Sequence, residues 1–405
     1  MNKSEKVLTF VLAGGKGERL HPLTRDRAKP GVPFGGIYRI IDFTLSNCIN
    51  SGLRKVYVLI QYKSYSLMRH LMMGWDFFDR ELGEFIEILP AQMRVSNDWY
   101  QGTADAIYQN IYFIDRENPD LILILAGDHI YKMDYGKMIN YHLEKKADVT
   151  VGALPVPLDL VNQYGIIETE ENNRITAFYE KPERTFVEKL PSFYASMGIY
   201  LFNKKFLEQI LQEDAKRNTK HDFGRDILPY CVKQDANIYA YPFLDENKKE
   251  VLYWRDIGTL DAYYEASMDL VSVNPVFNLY DKEWPIRTYY EPAPPAKTVF
   301  ANEEEKRVGI ALDSLICPGA IISGGRVERS IISPYVKVHS WTDIRESVIM
   351  EGVEIGRRSK IRRAIIDKLC YISPDTTIGY NEDEDKKKFF VTEKGIVVIP
   401  RNTKI

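Results

Sequence analysis

Val7-Leu8-Thr9-Phe10-Val11-Leu12-Ala13-Gly14-Gly15-Lys16-Gly17-Glu18-Arg19-Leu20 opens as an apolar run and breaks into three glycines within four positions. A short continuous apolar run bounded by glycine reads as a buried strand. The glycines let the chain turn sharply and let a ligand approach the backbone. Amides in such a turn can point at an anion, and a helix starting after Gly17 would add its positive end. Arg19, and then Lys29 in Arg27-Ala28-Lys29-Pro30, place two cations beside the turn. Together they read as a phosphate cradle. The turn lacks the Gly-Lys-Ser/Thr ending of a P-loop, and Leu20 stands where the dinucleotide fingerprint has its third glycine.

Further apolar runs follow at Val56–Ile60, Leu121–Ala126 and Val149–Leu154. Between them lie helical patterns such as Asp105–Ile114, where Ile107, Ile111 and Ile114 share a face and Thr103 is placed to cap. Alternating strands and helices predict an α/β, Rossmann-like, mostly parallel sheet covered on both faces. Ligands of such sheets sit beyond the carboxyl ends of the strands. That is where Gly14–Gly17 and Gly127-Asp128-His129 fall.

The texture changes at Asn274. Pro275, Pro285, Pro292, Pro294 and Pro295 mark residues 274–300 as a linker. Beyond it, Leu315, Ile321 and Val327 are six residues apart, as are Ile332, Val338 and Ile344, then Ile349, Ile355 and Ile361, then Ile366, Ile372 and Ile378. The first members of the four groups are seventeen apart. An aliphatic at every sixth position is the hexapeptide pattern of a parallel β-helix. Residues 1–273 and 301–405 therefore read as two domains, the second a left-handed β-helix of hexapeptide repeats.

Composition narrows the chemistry. The 405 residues are 45% hydrophobic and 27% charged with a net charge of −3, which gives no basic face for nucleic acid. No apolar stretch approaches the length of a membrane span. The four cysteines are far apart and form no Cys-x-x-Cys pair, which argues against a zinc or dithiol site and suits the cytoplasm.

Several segments carry a family resemblance. They are Leu12–Leu20, Arg27–Pro30, Phe34-Gly35-Gly36, Arg39–Gly52, Trp99–Ala104, Gly127–Tyr131, Glu180-Lys181-Pro182, Tyr253–Thr259 and Trp284–Thr288. With the hexads, the chain resembles the bacterial glucose-1-phosphate adenylyltransferases over nearly its whole length. The resemblance implies transfer of AMP from ATP to glucose 1-phosphate, giving ADP-glucose and pyrophosphate for glycogen synthesis. It implies Mg2+ held by Asp128 and Asp256, and Arg19 and Lys29 facing the nucleotide phosphates beside Gly14, Gly15 and Gly17. It also implies that Tyr100, Gly102, Gly165, Glu180, Lys181 and Ser196 bind substrate. A homotetramer, or a hetero-oligomer with a related subunit, is the implied assembly.

These roles suit the residue types. A sugar phosphate is an anionic nucleophile near neutral pH, with a second pKa near ~6. It needs positioning and charge relief rather than a general base. Each residue also has a plainer reading: Asp128 and Asp256 as turn caps, Lys181 as a surface lysine, Tyr100 as core. His129 is given no catalytic role. Enzymes of the enteric type carry a lysine where this chain has Asp26, which argues against enteric-style activation by a bisphosphate. Arg39, with Arg362 and Arg363 from a basic stretch of the β-helix, is the candidate effector site; a solvated flank is the alternative. His339, beside Trp341, is the only histidine of the repeats, which disfavours acyl transfer. Transfer to another base or sugar, and a weakly active regulatory subunit, are the competing functions.

Overall fold

The computed structural model describes residues 6–92, 99–245, 250–302, 304–305 and 307–405. A nine-stranded sheet forms the first half. Strand Val7–Leu12 lies at its centre, parallel to Lys55–Ile60 on one side and Leu121–Ala126 on the other, and Phe85–Pro90 extends the parallel part to an edge. Val7, Leu8, Phe10 and Val11 are all buried, as expected for a strand covered on both faces. The remaining strands are organised by the long Phe193–Asn203, antiparallel to Leu121–Ala126, Val149–Leu154 and Gly165–Thr169. Its pairing with Val149–Leu154 shifts register between Ser196 and Tyr200, where Gly198 has φ +68°. Such an irregularity re-aims side chains next to sites.

The helix expected over Asp105–Ile114 is two helices, Thr103–Tyr108 and Ile111–Glu117. The break falls at Asn110, whose side-chain amide donates to the carbonyl of Ala106 (2.8 Å) and to Tyr100 Oη (2.8 Å). A side chain that competes for a helix carbonyl interrupts the ladder. Thr103 is the first helical residue rather than the cap. Its hydroxyl donates to Asp222 Oδ2 (3.0 Å) and accepts from the Phe223 amide (3.0 Å).

The stretch read as a linker is pinned down. Trp284 Nε1 donates to Asn47 Oδ1 (2.8 Å), the Arg287 amide to Ser46 Oγ (2.8 Å), and Thr288 Oγ1 to Asp42 Oδ2 (2.6 Å). All three acceptors lie on the helix Ile40–Asn50. Asp42, fully buried, also accepts from His70 and Trp75. The end of the same stretch, Lys297–Val299, is already a strand paired with Ile321–Ser323.

From Lys297–Val299 onward the chain is a parallel β-helix. Two of its faces stack five strands each and the third stacks six. Ile332, Val338, Ile344, Ile349, Ile355, Ile361, Ile366, Ile372 and Ile378 point inward as the hexads predict. The first coil differs by one position. Ile316 pairs with Ile332 and Ile322 with Val338, so Ile322 is buried while Ile321 is 36% exposed. The cause is a corner one residue shorter at Gly324-Gly325. A Cβ on Gly325 would lie 2.9 Å from Val338 Cγ1, so the tight corner needs glycine. Serines stack inside another corner: the Ser330 amide donates to Ser314 Oγ (3.0 Å), the Ser347 amide to Ser330 Oγ (3.1 Å), and the Ala364 amide to Ser347 Oγ (3.2 Å). These hydroxyls satisfy amides that the turns would otherwise leave buried without partners.

One apolar cluster joins the halves. Leu20, Phe34, Phe43, Ile257 and Tyr263 pack with Ile331, Val348, Ile365 and Val398 of the β-helix. The helix Leu260–Asp269 lies along the seam, where Tyr264 Oη donates to the carbonyl of Glu346 (2.7 Å) and Asp261 Oδ1 accepts from Thr392 Oγ1 (2.6 Å).

Candidate active site

The glycine turn follows Val7–Leu12, as expected, but no regular helix follows it. Glu18–Leu20 is a single 3-10 turn, and Pro22, lacking an N–H, cannot extend it. The anion-binding contribution of a helix dipole is therefore missing from this loop. The three glycines differ in role. Gly17 has φ +64°, and a Cβ there would lie 3.0 Å from Lys29 Cβ, so the backbone itself requires glycine. A Cβ on Gly14 would press on Gln61 at 3.2 Å. Gly15 meets nothing within 4 Å; its missing side chain serves no packing within the chain and leaves that face of the turn open.

Asp128 and Asp256 come together through strand register. Asp128 follows Leu121–Ala126, and His129–Tyr131 pairs antiparallel with Trp254–Asp256, setting Asp256 opposite His129. The helix Ile40–Asn50 holds the Asp128 turn from below. Thr44 Oγ1 donates to the carbonyl of Ala126 (3.0 Å), and Asn47 Nδ2 donates to that of Tyr131 (3.1 Å).

Lys29 stands between the two carboxylates. Its Nζ is 2.7 Å from Asp128 Oδ2 and 3.1 Å from Asp256 Oδ1. Burial opposes the lysine's charge, but the two carboxylates outweigh it and raise its pKa above the ordinary value. Burial likewise opposes ionisation of Asp128, yet Lys29 and then His129 bring its pKa down to about 2. Arg19 completes the group: a Cβ on Gly258 would lie 3.1 Å from Asp256 Oδ2 and 3.3 Å from Arg19 Nη2. Glycine at 258 leaves room for both.

A pocket opens beside this cluster. Gly165, Glu180, Ser196 and Asp256 line it, joined by His129, Tyr164, Tyr200 and Trp254. Gly165 pairs in register with Glu180, and a Cβ on it would lie 2.5 Å from Phe178 Cζ. Burial raises the pKa of Glu180, with Lys181 acting in the opposite sense. Lys181 has φ +50°, and its Nζ is 3.7 Å from Glu180 Oε1. Ser196 sits at the register shift, its Oγ accepting from the Gly198 amide (3.3 Å).

Tyr100 and Gly102 stand one layer back. Tyr100 Oη is engaged by Asn110, and burial raises its pKa. A Cβ on Gly102 would lie 2.2 Å from the carbonyls of both Lys220 and His221. Glycine is therefore needed for that turn to reach the segment ending in Gly224, which borders Glu180. The sequence reading did not single out Tyr164, Tyr200 and Trp254. Trp254 lay inside a quoted motif, but an aromatic on a strand has the same signature whether it fills a core or walls a pocket.

Arg39, Arg362 and Arg363 each have partners of their own. Arg39 is half-buried and donates to the carbonyl of Ser66 (2.8 Å). Arg362 faces Glu346 at 3.7 Å, and Arg363 donates to the carbonyl of Lys394 (3.1 Å). Arg362 and Arg363 both lie close enough to Tyr264 to act on its charge.

A family described as "Nucleotidyl transferase" matches residues 8–273, and one described as "GlmU-like, C-terminal hexapeptide" matches 294–399. The glucose-1-phosphate adenylyltransferase of Rhodopirellula baltica is 52% identical over 99% of this chain and 91% of its own length. Those of Koribacter versatilis and Methylococcus capsulatus are 53% and 49% identical over 98% of this chain, covering 96% and 93% of their own lengths. A turn open at Gly15, a lysine bracketed by two aspartates, and near-complete coverage by these relatives lead to one assignment: the chain belongs to the glucose-1-phosphate adenylyltransferase family of nucleotidyltransferases.

Proposed function

We propose that this chain makes ADP-glucose from ATP and glucose 1-phosphate, with the residues around Lys29 doing the chemistry. The observation that carries the reading is Lys29 held at 2.7 and 3.1 Å from Asp128 and Asp256, beside a pocket lined by Glu180 and Ser196. Glucose 1-phosphate binds in that pocket, with Glu180 and Ser196 on the sugar and Lys181 at the phosphate. The triphosphate lies along the open face of Gly14, Gly15 and Gly17. The sugar phosphate oxygen attacks the α-phosphorus in line, and pyrophosphate departs. Arg19 and Lys29 face the departing group, where negative charge grows in the transition state.

The donor set fits a hard divalent cation. Asp128 and Asp256 converge on a point where the protein already stabilises positive charge. Among the described residues no cluster of three or more His, Cys, Asp or Glu side chains forms a complete cage. Two carboxylates completed by substrate phosphates is how Mg2+ is commonly held. When bound, Mg2+ would relieve repulsion among the converging anions.

A pyrophosphate-release assay with glucose 1-phosphate and a panel of ATP, UTP, dTTP and GTP tests the reading. Turnover with ATP is expected to exceed the others by at least about tenfold, the scale of one well-formed recognition contact. Equal rates with all four would sink the adenylyl assignment.

We also read the β-helix as the assembly element. Ile321, Tyr335, Leu369 and Tyr371 lie exposed on it, and parallel coils offer flat faces for self-association. A homotetramer by light scattering is the expected result, and a monomer at micromolar concentration would contradict it. Four free, buried cysteines support a reducing, cytoplasmic setting. Among the described residues no helix is long and apolar enough to cross a membrane.

A further inference from the structure

Two residues before Lys29, the chain reaches in a different direction. Arg27 is 4% exposed and sends Nη2 to both carboxylate oxygens of Asp367, at 2.9 and 3.0 Å. Asp367 belongs to the β-helix and is 1% exposed. Its rung fixes it: its amide donates to the carbonyl of Ile399 (3.0 Å), and its Oδ1 accepts from the Lys368 amide (2.7 Å). Arg27 Nη1 is buried with no hydrogen-bond partner.

A buried ion pair is a poor adhesive. Desolvation consumes most of its attraction, and apolar residues of similar volume often hold an interface as well or better. The seam already carries a shared aliphatic and aromatic cluster. What the pair offers is direction. Arg27, Ala28 and Lys29 are consecutive, and Ala28 is 1% exposed. The Ala28 amide donates to the carbonyl of Lys63 (3.2 Å), and the Val32 amide closes the turn onto Lys29 (3.0 Å). With Arg27 anchored to the β-helix and the next turn closed, Lys29 has one way to point. On the other side Gly17 lies so close that a Cβ on it would come within 3.0 Å of Lys29 Cβ.

We infer that Asp367 is a positioning residue for Lys29: the β-helix sets the geometry of the lysine between Asp128 and Asp256 through the Arg27–Asp367 pair. The inference rests on the proposed role of Lys29. It concerns the rate of the chemical step, not the affinity of the sugar pocket, which shares no residue with the pair.

The experiment uses the full-length enzyme and four variants. Asp367→Asn keeps shape and removes charge. It is expected to lower kcat by about 10- to 10²-fold, the range for a misplaced reacting group, with KM for glucose 1-phosphate unchanged within about twofold. In a Lys29→Gln background the same change is expected to lower kcat by no more than about twofold, because its target is gone. Since Asp367→Asn leaves Arg27 uncompensated and can destabilise the fold, the double variant Arg27→Met/Asp367→Leu supplies a second arm. It is expected to melt no lower than wild type yet show the same kcat loss, which a purely structural pair would not produce. A wild-type kcat in the Met/Leu variant, or the full Asp367→Asn effect persisting without Lys29, overturns the inference. If Lys29→Gln alone turns over normally, the proposed role of Lys29 is what fails.

Discussion

Asp128→Asn is expected to reduce pyrophosphate release by about 10³-fold or more while the protein stays folded. Asn preserves the shape of the side chain, and Lys29 keeps Asp256 as a partner at 3.1 Å. What disappears is one of the two negative charges that converge on the site. Stabilisation of charge by a bound metal is worth several kcal/mol, and each 1.36 kcal/mol is a factor of ten in rate. Steady-state pyrophosphate release with ATP and glucose 1-phosphate measures the loss, and circular dichroism with a melting curve checks the fold. Turnover within tenfold of wild type would remove Asp128 from the metal-binding role.

Lys29→Gln carries the second large effect, and it leaves two signatures. Loss of the cation proposed to face the departing pyrophosphate is expected to cost about 10²- to 10³-fold in kcat, the range found for one preorganised donor. The second signature is in acid stability. Asp128 sits at about 2, below the ordinary 3.8. A depressed carboxyl stabilises the fold fully above its unfolded pKa, and that contribution is lost as pH falls through the folded value. In wild type this loss spans roughly pH 4 to 2, between the two values of Asp128. Without Lys29 the strongest opposing charge is gone, the Asp128 pKa moves back up toward the ordinary value, and that segment of the stability curve flattens. Urea midpoints between pH 5 and 2.5 for both proteins test it. Parallel curves would show that Lys29 is not what holds Asp128 ionised.

Local periodicity was the most readable part of the sequence. Leu121–Ala126 and Val149–Leu154 are strands with the bounds their apolar runs suggest, because strands buried on both faces begin and end in apolar residues, flanked by Asp120 and Gly127 in one case and by Asp148 and Pro155 in the other. The inward aliphatics from Ile332 to Ile378 were legible for the same reason. The first coil was not, because removing one residue at Gly324-Gly325 shifts register without removing any aliphatic. Inward Ile316, Ile322 and Ile332 each have an aliphatic neighbour, Leu315, Ile321 and Ile331, so an alternative register one residue away keeps the same pattern. Helix continuity failed at Asn110, where a side-chain contact to Ala106 decides the break. Within the site, Asp128, Asp256 and Lys29 come from distant segments, and motif resemblance rather than spacing linked them. Asp367 carried no sequence signal, because a buried aspartate next to Lys368 looks like any polar turn.

The mixed cluster at the seam has a consequence for the birth of the chain. Phe34, Phe43, Ile257 and Tyr263 emerge from the ribosome well before Ile331, Val348, Ile365 and Val398, which cover them in the finished protein. At synthesis rates of about 5–20 residues per second, that apolar surface stays uncovered for on the order of ten seconds. During that interval the nascent first domain presents a sticky face to its surroundings, and rungs spread along the β-helix, from Ile331 to Val398, bury it.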